Sequence, residues 1–500
     1  MSQNIKNYGI HWFRRDLRIA GNPALQENWK KNDGRVVGLF CFDKKFLSRN
    51  DFSINRFQFF IETLKSLKQE LLAAGSDLLF LDQGPFESFE SLFEQFNAQN
   101  IPRPTLFTWN NDYEPFAIKR DQSIKQLLDT WDISQFSCND HLLIEPELVT
   151  KKGSDDEYYQ VFTPFSRQWL DVFKTEPIQR RIKQQEHTFN YLDALKDNKS
   201  KKIFSLTWEN LCGKKLKLQD SLNTYDQSNK KKTTVPIPKA GSLYAYKCLE
   251  NFSSKLNSYK DKRDTPSIDG TSQFSFFLKN GSLTIAQIIA YFKLKAFDPK
   301  NKNQKDTFFN ELIWREFYYH ILYHHPHVEK EAFKPEYNQI QWKNNERWFE
   351  AWKNGETGFP IVDAAMLQLK TTGWMHNRCR MIVASFLCKD LLIDWRWGEK
   401  YFMETLLDGD LAPNNGGWQW SASTGCDAQP YFRIFNPWSQ SKKFDPEGLY
   451  IKNFLPKLKD IDAGLLHDER KVSEHYMTPI VNHKTQRERA LKMYKEINNA

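Results

Sequence analysis

The sequence predicts an α/β domain with a parallel sheet, then a long connector, then an all-α domain. Three observations point there. Residues 7 to 135 alternate short β-branched or aromatic runs with helical periods, whereas the chain after residue 241 keeps a three-to-four spacing with few strand signals. Between them, residues 196 to 239 hold eleven lysines, no arginine and four acidic residues, a local charge of +7. Third, ten of the 16 tryptophans lie at or after Trp314, so the later domain uses large π surfaces for packing or for a flat ligand.

In the first part, strands are expected at 8–13, 36–42, 78–81 and 106–109. Between the second and third, Ile54, Phe57, Phe60, Ile61, Leu64, Leu67, Leu71 and Leu72 recur at helical spacing and stop at Gly75. Strand and helix in alternation give a parallel sheet covered on both faces, with ligands at the carboxyl ends of its strands. No Gly-x-Gly-x-x-Gly follows the first strand. Arg14-Arg15-Asp16-Leu17-Arg18 stands there instead, so an ordinary nicotinamide dinucleotide site is not expected. The division is therefore 1–135, a connector at 136–240 with some local helix around the turn residues Pro236 and Pro238, a helical domain at 241–480, and a tail at 481–500. Helices of the third unit are expected over 307–323, 361–369, 380–392 and 399–407.

Composition sets the outer limits. With 27% charged and 40% hydrophobic residues the chain is that of an ordinary folded protein. Its longest apolar runs are about a third of the roughly 18 residues that span a bilayer, and residues 1–18 contain no apolar signal core. A cytoplasmic, non-membrane protein is expected. Seven cysteines without a Cys-x-x-Cys pair fit core positions in a reducing compartment. The net charge of +9 invites a nucleic-acid reading, but outside the lysine-rich stretch 60 basic residues face 58 acidic ones. Any binding groove must be assembled by folding.

Three clusters could carry chemistry. His320 and His324 stand four apart, with His325 and His327 beyond, but no glutamate accompanies the first as in a helical zinc motif; core or surface histidines, and no metal, are expected. Asp408-Gly409-Asp410 offers two carboxylates for Mg²⁺ or a phosphodiester, or a loop in which they pair with Arg378 or Arg380. Asn414-Asn415-Gly416-Gly417-Trp418-Gln419-Trp420 combines small residues that let backbone approach a ligand, amide donors and acceptors, and two indoles. That suits a flat heteroaromatic ligand, although tryptophan core packing is as compatible with the run.

The runs WMHNRCRM (374–381), DGDLAPNNGGWQW (408–420) and YFRIFNP (431–437) resemble the flavin domain of the photolyase/cryptochrome family. HWFRRDLR (11–18), GTS (270–272) and NELIWRE (310–316) resemble the same family in the same order. The likeness runs through nearly the whole chain and is weakest at 186–240. It implies a Rossmann-like α/β antenna domain, a long linker, and an all-α FAD-binding domain that buries a U-shaped FAD. Carried onto this sequence, Tyr259, Thr271, Ser272 and Ser275 would hold the FAD phosphates, assisted by Arg315. Asn377, Arg380, Asp408 and Asp410 would surround the ribityl chain and flavin ring, with Arg380 pairing Asp408, and Asn414 would face flavin N5.

The implied activity is that of a class I photolyase, light-driven splitting of cyclobutane pyrimidine dimers. Excited reduced FAD donates an electron to the lesion and receives it back, so the chemistry is the cofactor's. The lesion would be flipped from the duplex, as the general account of base-modifying enzymes already holds for photolyases. By resemblance, Glu311 would hydrogen-bond the flipped bases while Trp314, Met381 and Trp420 pack on them. Arg263, Arg378 and Arg433 would touch phosphates, and Trp418, Trp395 and Trp342 would relay electrons to the flavin from the surface. Asn377, Met381 and the Trp418/Trp420 pair favour cyclobutane dimers over a (6-4) photolyase. The chain also ends within about twenty residues of Pro479, which favours repair over a cryptochrome photoreceptor with a long signalling tail. For the second chromophore, 38–43 (GLFCFD) and 109–115 (WNNDYEP) resemble deazaflavin binders, whereas Phe116 and Ala117 replace the asparagine and glutamate of folate binders. The expectation is 8-hydroxy-deazaflavin, with FMN, methenyltetrahydrofolate or no antenna as alternatives. UV-damaged DNA is the expected partner of a monomer with no obligate protein partner.

Overall fold

The computed structural model describes residues 7–498 except 155–156, 198, 200–201, 214–215 and 217–220. Seven of the connector's charged residues, Asp155, Asp156, Lys201, Lys214, Lys215, Lys217 and Asp220, lie outside the described residues. Strands β1 (Gly9–Phe13), β2 (Val36–Cys41), β3 (Leu78–Leu81), β4 (Leu106–Asn110) and β5 (Gln135–Cys138) form one parallel sheet in the order β3-β2-β1-β4-β5. Gly9 aligns with Val36 on one side and Leu106 on the other.

Strand periodicity sorts the side chains. Ile10, Trp12, Val37, Leu39, Phe107 and Trp109 pack under helices Pro85–Ala98 and Pro115–Thr130. Phe13, Val36, Phe40, Leu78 and Phe80 pack under Ile54–Ala74 on the other face. Both faces are dry, which is why the strands read as nearly continuous apolar runs. The long helix begins where the Ser53 side chain accepts from Arg56 N and ends at Gly75, whose φ of 93° is left-handed. The edge strand β5 was not legible in the sequence, because QFSC is polar and only half-buried.

The connector holds more structure than expected. It forms helices Phe162–Phe173 and Glu176–Lys196, and the first buries Phe162, Phe165, Trp169, Leu170 and Phe173. Glu316, on the long helix Gln304–His324, clamps it by accepting from the backbone N–H groups of Leu143 and Ile144 and from Trp169 Nε1, at 2.5, 3.3 and 2.7 Å. Arg181 donates to the carbonyls of Leu143, Asn139 and Leu142.

The last unit is helical. Helices Gln304–His324 and Pro360–Thr372 cover the stretches expected at 307–323 and 361–369, whereas the helix expected over 399–407 is Trp395–Thr405, two residues short at its end. The helix expected over 380–392 is Asn377–Ser385 followed by a π-turn at Phe386–Asp390. Residues 481–500, expected as a tail, instead include helix His483–Asn498, docked on that turn. His483 Nδ1 lies 2.6 Å from Asp390 Oδ1, and Tyr494 is fully buried with its hydroxyl donating to Ala422 O. The two domains touch closely at Gly281, where a Cβ would stand 1.8 Å from Arg15 O.

Candidate functional site

A cavity of about 520 Å³ opens among the helices. The 304–324 helix contributes Glu311, Trp314 and Arg315, the 377–385 helix Asn377, Arg380 and Met381, and helix Leu411–Ala422 Asn414, Gly417, Trp418 and Trp420. Tyr259, Arg263, Ser272 and Ser275 close one side, and Asp408 and Asp410 the floor. Phe274, Leu278, Leu312 and Phe402 also line it; nothing polar marked them in the sequence.

The two carboxylates split their work. Asp408 takes Arg380 Nη2 at 2.9 and 3.1 Å and the Ser275 hydroxyl at 2.7 Å. Arg378, the other candidate partner, pairs with Asp264 at 2.9 Å instead. Asp410 accepts from Arg15 Nη2 at 2.8 Å, Lys279 Nζ at 3.0 Å and the Tyr319 hydroxyl at 2.6 Å. Burial alone would raise the Asp410 carboxyl, but Lys279, Arg15 and Arg315 together hold it well below the usual range. Arg15 follows β1, so this carboxylate also ties the α/β domain to the cavity floor. No metal is needed to neutralise either group.

At the half-buried mouth, Arg263 Nη1 meets Glu311 Oε1 at 2.5 Å and the guanidinium lies 5.4 Å over the Tyr259 ring. Trp314, Met381 and Trp420 are likewise half-buried. Thr271 sits in the 270–274 loop without lining the cavity, and the exposed Arg433 also stands outside its wall. The Asn414 amide donates to Glu399 O at 3.1 Å. Of the relay candidates, Trp418 lines the cavity and is buried, Trp395 is buried, and Trp342 is half-buried, its ring centroid 6.3 Å from that of Tyr494. The fully buried Trp352, which sequence reading passed over, packs 6.1 Å from Trp418.

Among the four histidines, His320 is buried, and burial pushes it down to about 3; His324 stacks on Tyr158 at 3.4 Å. Five cysteines are buried and Cys138 and Cys248 half-buried.

A second cavity of about 190 Å³ lies at the carboxyl ends of β2 and β4. Nine phenylalanines line it, Phe40, Phe42, Phe46, Phe52, Phe57, Phe59, Phe60, Phe116 and Phe276, with Cys41, Asp43, Asp112, Glu114 and Ala117 and the basic side chains of Arg14, Arg15, Arg56, Arg120 and Lys279. Both stretches that suggested a second chromophore reach it. The partition is thin: Leu406 faces the first cavity and Leu407 the second, and Arg56 caps the carbonyls of Met403 and Leu406 between them.

The first cavity fits a large dinucleotide. Arg315 Nη1 is buried on its wall without a partner, the open space beside Gly417 holds no atom within 4 Å of where a Cβ would be, and indoles, hydroxyls and guanidinium groups match rings and phosphates. Fold and site thus define a two-domain protein that holds a nucleotide cofactor among helices beneath an α/β domain. Residues 9–183 match DNA photolyase, and residues 308–496 match the FAD binding domain of DNA photolyase. The chain is 36% identical to a deoxyribodipyrimidine photo-lyase of Vibrio cholerae, over 97% of this chain and 98% of that one. It is similar to a class III photolyase from Agrobacterium tumefaciens (30% identity, TM-score 0.79, 100% and 99% covered) and to an archaeal photolyase from Sulfolobus tokodaii crystallised with two FAD molecules (32%, 0.77, 98% and 100%). The chain belongs to the DNA photolyase family, and FAD is the cofactor its helical domain is built to hold. Among the described residues no helix is long and apolar enough to cross a membrane.

Proposed function

We propose that this protein is a deoxyribodipyrimidine photo-lyase that repairs cyclobutane pyrimidine dimers in UV-damaged DNA. One observation carries the reading: Glu311, Trp314, Met381 and Trp420 share the mouth of the cavity whose floor is Asp408 and Asp410. When bound, reduced FAD supplies one electron to the dimer on excitation by blue or near-UV light and takes it back after the ring opens. Tyr259, Ser272, Ser275 and Arg315 would receive the phosphates, and Arg380, fixed by Asp408, would orient the ring with Asn377 and Asn414. Glu311 would present its carboxyl to the flipped bases while Trp314 and Trp420 exclude water around them. Trp418, Trp395 and Trp342 would serve reduction of the cofactor rather than repair itself.

The phenylalanine-lined cavity would hold the light-harvesting second chromophore. Its apolar walls and its position at the strand ends support 8-hydroxy-deazaflavin, with FMN the alternative for the same space.

The test is return of intact thymine from a dimer-containing oligonucleotide, with and without blue light. Light-dependent repair that falls at least tenfold in Glu311→Ala with FAD retained is the expected result. A normal flavin spectrum without repair would overturn the reading in favour of a (6-4) substrate or a photoreceptor.

A further inference from the structure

Trp314 is held from behind by the connector, a segment to which sequence reading gave no role. Its indole lies parallel to the Phe162 ring, with centroids 3.6 Å apart and planes 5° from parallel. Phe162 is buried, and Phe317 stands edge-on to both stacked rings, 5.6 Å from Phe162 and 5.7 Å from Trp314, while Tyr318 lies tilted 5.7 Å from the indole. Phe162 is also the first residue of helix Phe162–Phe173, whose N-cap Val161 supplies no side-chain acceptor. The Asp427 carboxylate takes over that task, accepting the Phe162 N–H at 3.0 Å. Asp427 belongs to the loop that follows helix Leu411–Ala422, which carries Trp420. One anchor point therefore joins the supports of both indoles at the mouth.

We propose that Phe162 is a positioning residue for lesion capture: by covering one face of Trp314 it fixes the indole plane and leaves the other face for a flipped base. The inference rests on the dimer-repair reading above. An indole free to turn about its sp³–sp² bond samples a broad range, and a base stacks well only on a plane already in place. An aromatic pair contributes about 0.5–1.5 kcal/mol, equivalent to about a two- to tenfold effect on binding.

The experiment measures affinity for a thymine-dimer oligonucleotide and its undamaged counterpart, with kcat and KM for repair. It compares FAD-loaded wild type, Phe162→Ala, Phe162→Leu, Phe162→Tyr, Trp314→Ala and the Phe162/Trp314 double alanine variant. Phe162→Ala and Phe162→Leu are expected to weaken dimer binding two- to tenfold and raise KM by as much, with kcat, undamaged-DNA binding and flavin absorbance little changed. Phe162→Tyr restores the ring and the affinity, and the double variant loses no more than Trp314→Ala alone. Wild-type dimer affinity in Phe162→Leu, or losses that add in the double variant, would overturn the proposal. Should Trp314→Ala itself leave dimer binding unchanged, the lesion-site reading fails, and that failure is separate from any result at Phe162.

Discussion

The molecule builds two cavities a few side chains apart by opposite means. The larger is floored by buried charges whose partners come from distant segments: Asp408 with Arg380 and Ser275, Asp410 with Arg15 and Lys279. The smaller is lined by nine phenylalanines, most of them from the end of β2 and the segment that follows it, with Phe116 and Phe276 from later helices and charged side chains at its rim. Charge pairs fix a polar ligand's orientation but leave a costly orphan when one member is lost. An apolar wall degrades gradually, because each ring contributes an independent contact. Damage to the first cavity should therefore be abrupt, and damage to the second graded.

Asp408→Ala is the sharpest way to break this contrast. It strands the half-buried Arg380 guanidinium and removes the acceptor of Ser275, a loss below the about 3–5 kcal/mol of a fully buried pair because water still reaches Arg380. Purified variant is expected to be colourless while its far-UV circular dichroism matches wild type. Retained FAD at a normal ratio would remove the distinction between the two cavities.

A middle-sized effect is expected behind the same wall, at Glu316. Burial, against three hydrogen-bond donors, raises this carboxyl from 4.5 to about 7. Between those values the folded chain keeps a proton that the unfolded chain has lost, so acid favours folding through this group. Its contribution is present below about 4.5 and lost as pH rises through about 7. Glu316→Gln cannot titrate. The melting-temperature lead of wild type over the variant should shrink between pH 5 and pH 8, and a lead that grows would reverse the assignment.

The smallest effect belongs to the phenylalanine wall. Phe46 is 45% exposed and lines the second cavity, so Phe46→Ala removes one ring at little cost to the core. A two- to tenfold weaker hold on the second chromophore is expected, read as lower repair at that chromophore's absorption band with FAD content unchanged. Complete loss of the chromophore would mean that the wall acts as a unit.

Much of this was legible beforehand, for identifiable reasons. The first four strands and the 54–74 helix follow from period-two and period-3.6 patterns that a dry core enforces. Glu311, Arg380, Asn414 and Trp418, which the motif runs singled out, line one cavity, because each run lies on a helix and each of the three helices turns one face to it. What escaped was whatever depends on a partner far along the chain. β5 is a polar edge strand, the 483–498 helix looked like a tail, and Phe162 sat in an unremarkable connector.

By itself the sequence determined the two-domain architecture and the chemistry available to the larger cavity, since hydrophobic period and motif are local properties of the chain. Tertiary structure alone decided that Asp410 answers to Arg15, 395 residues earlier, that Arg378 turns to Asp264 instead of the aspartate pair, and that Phe162 backs Trp314. Those pairings are set by which surfaces meet when the helices close over one another, and no local pattern encodes a contact between segments that far apart.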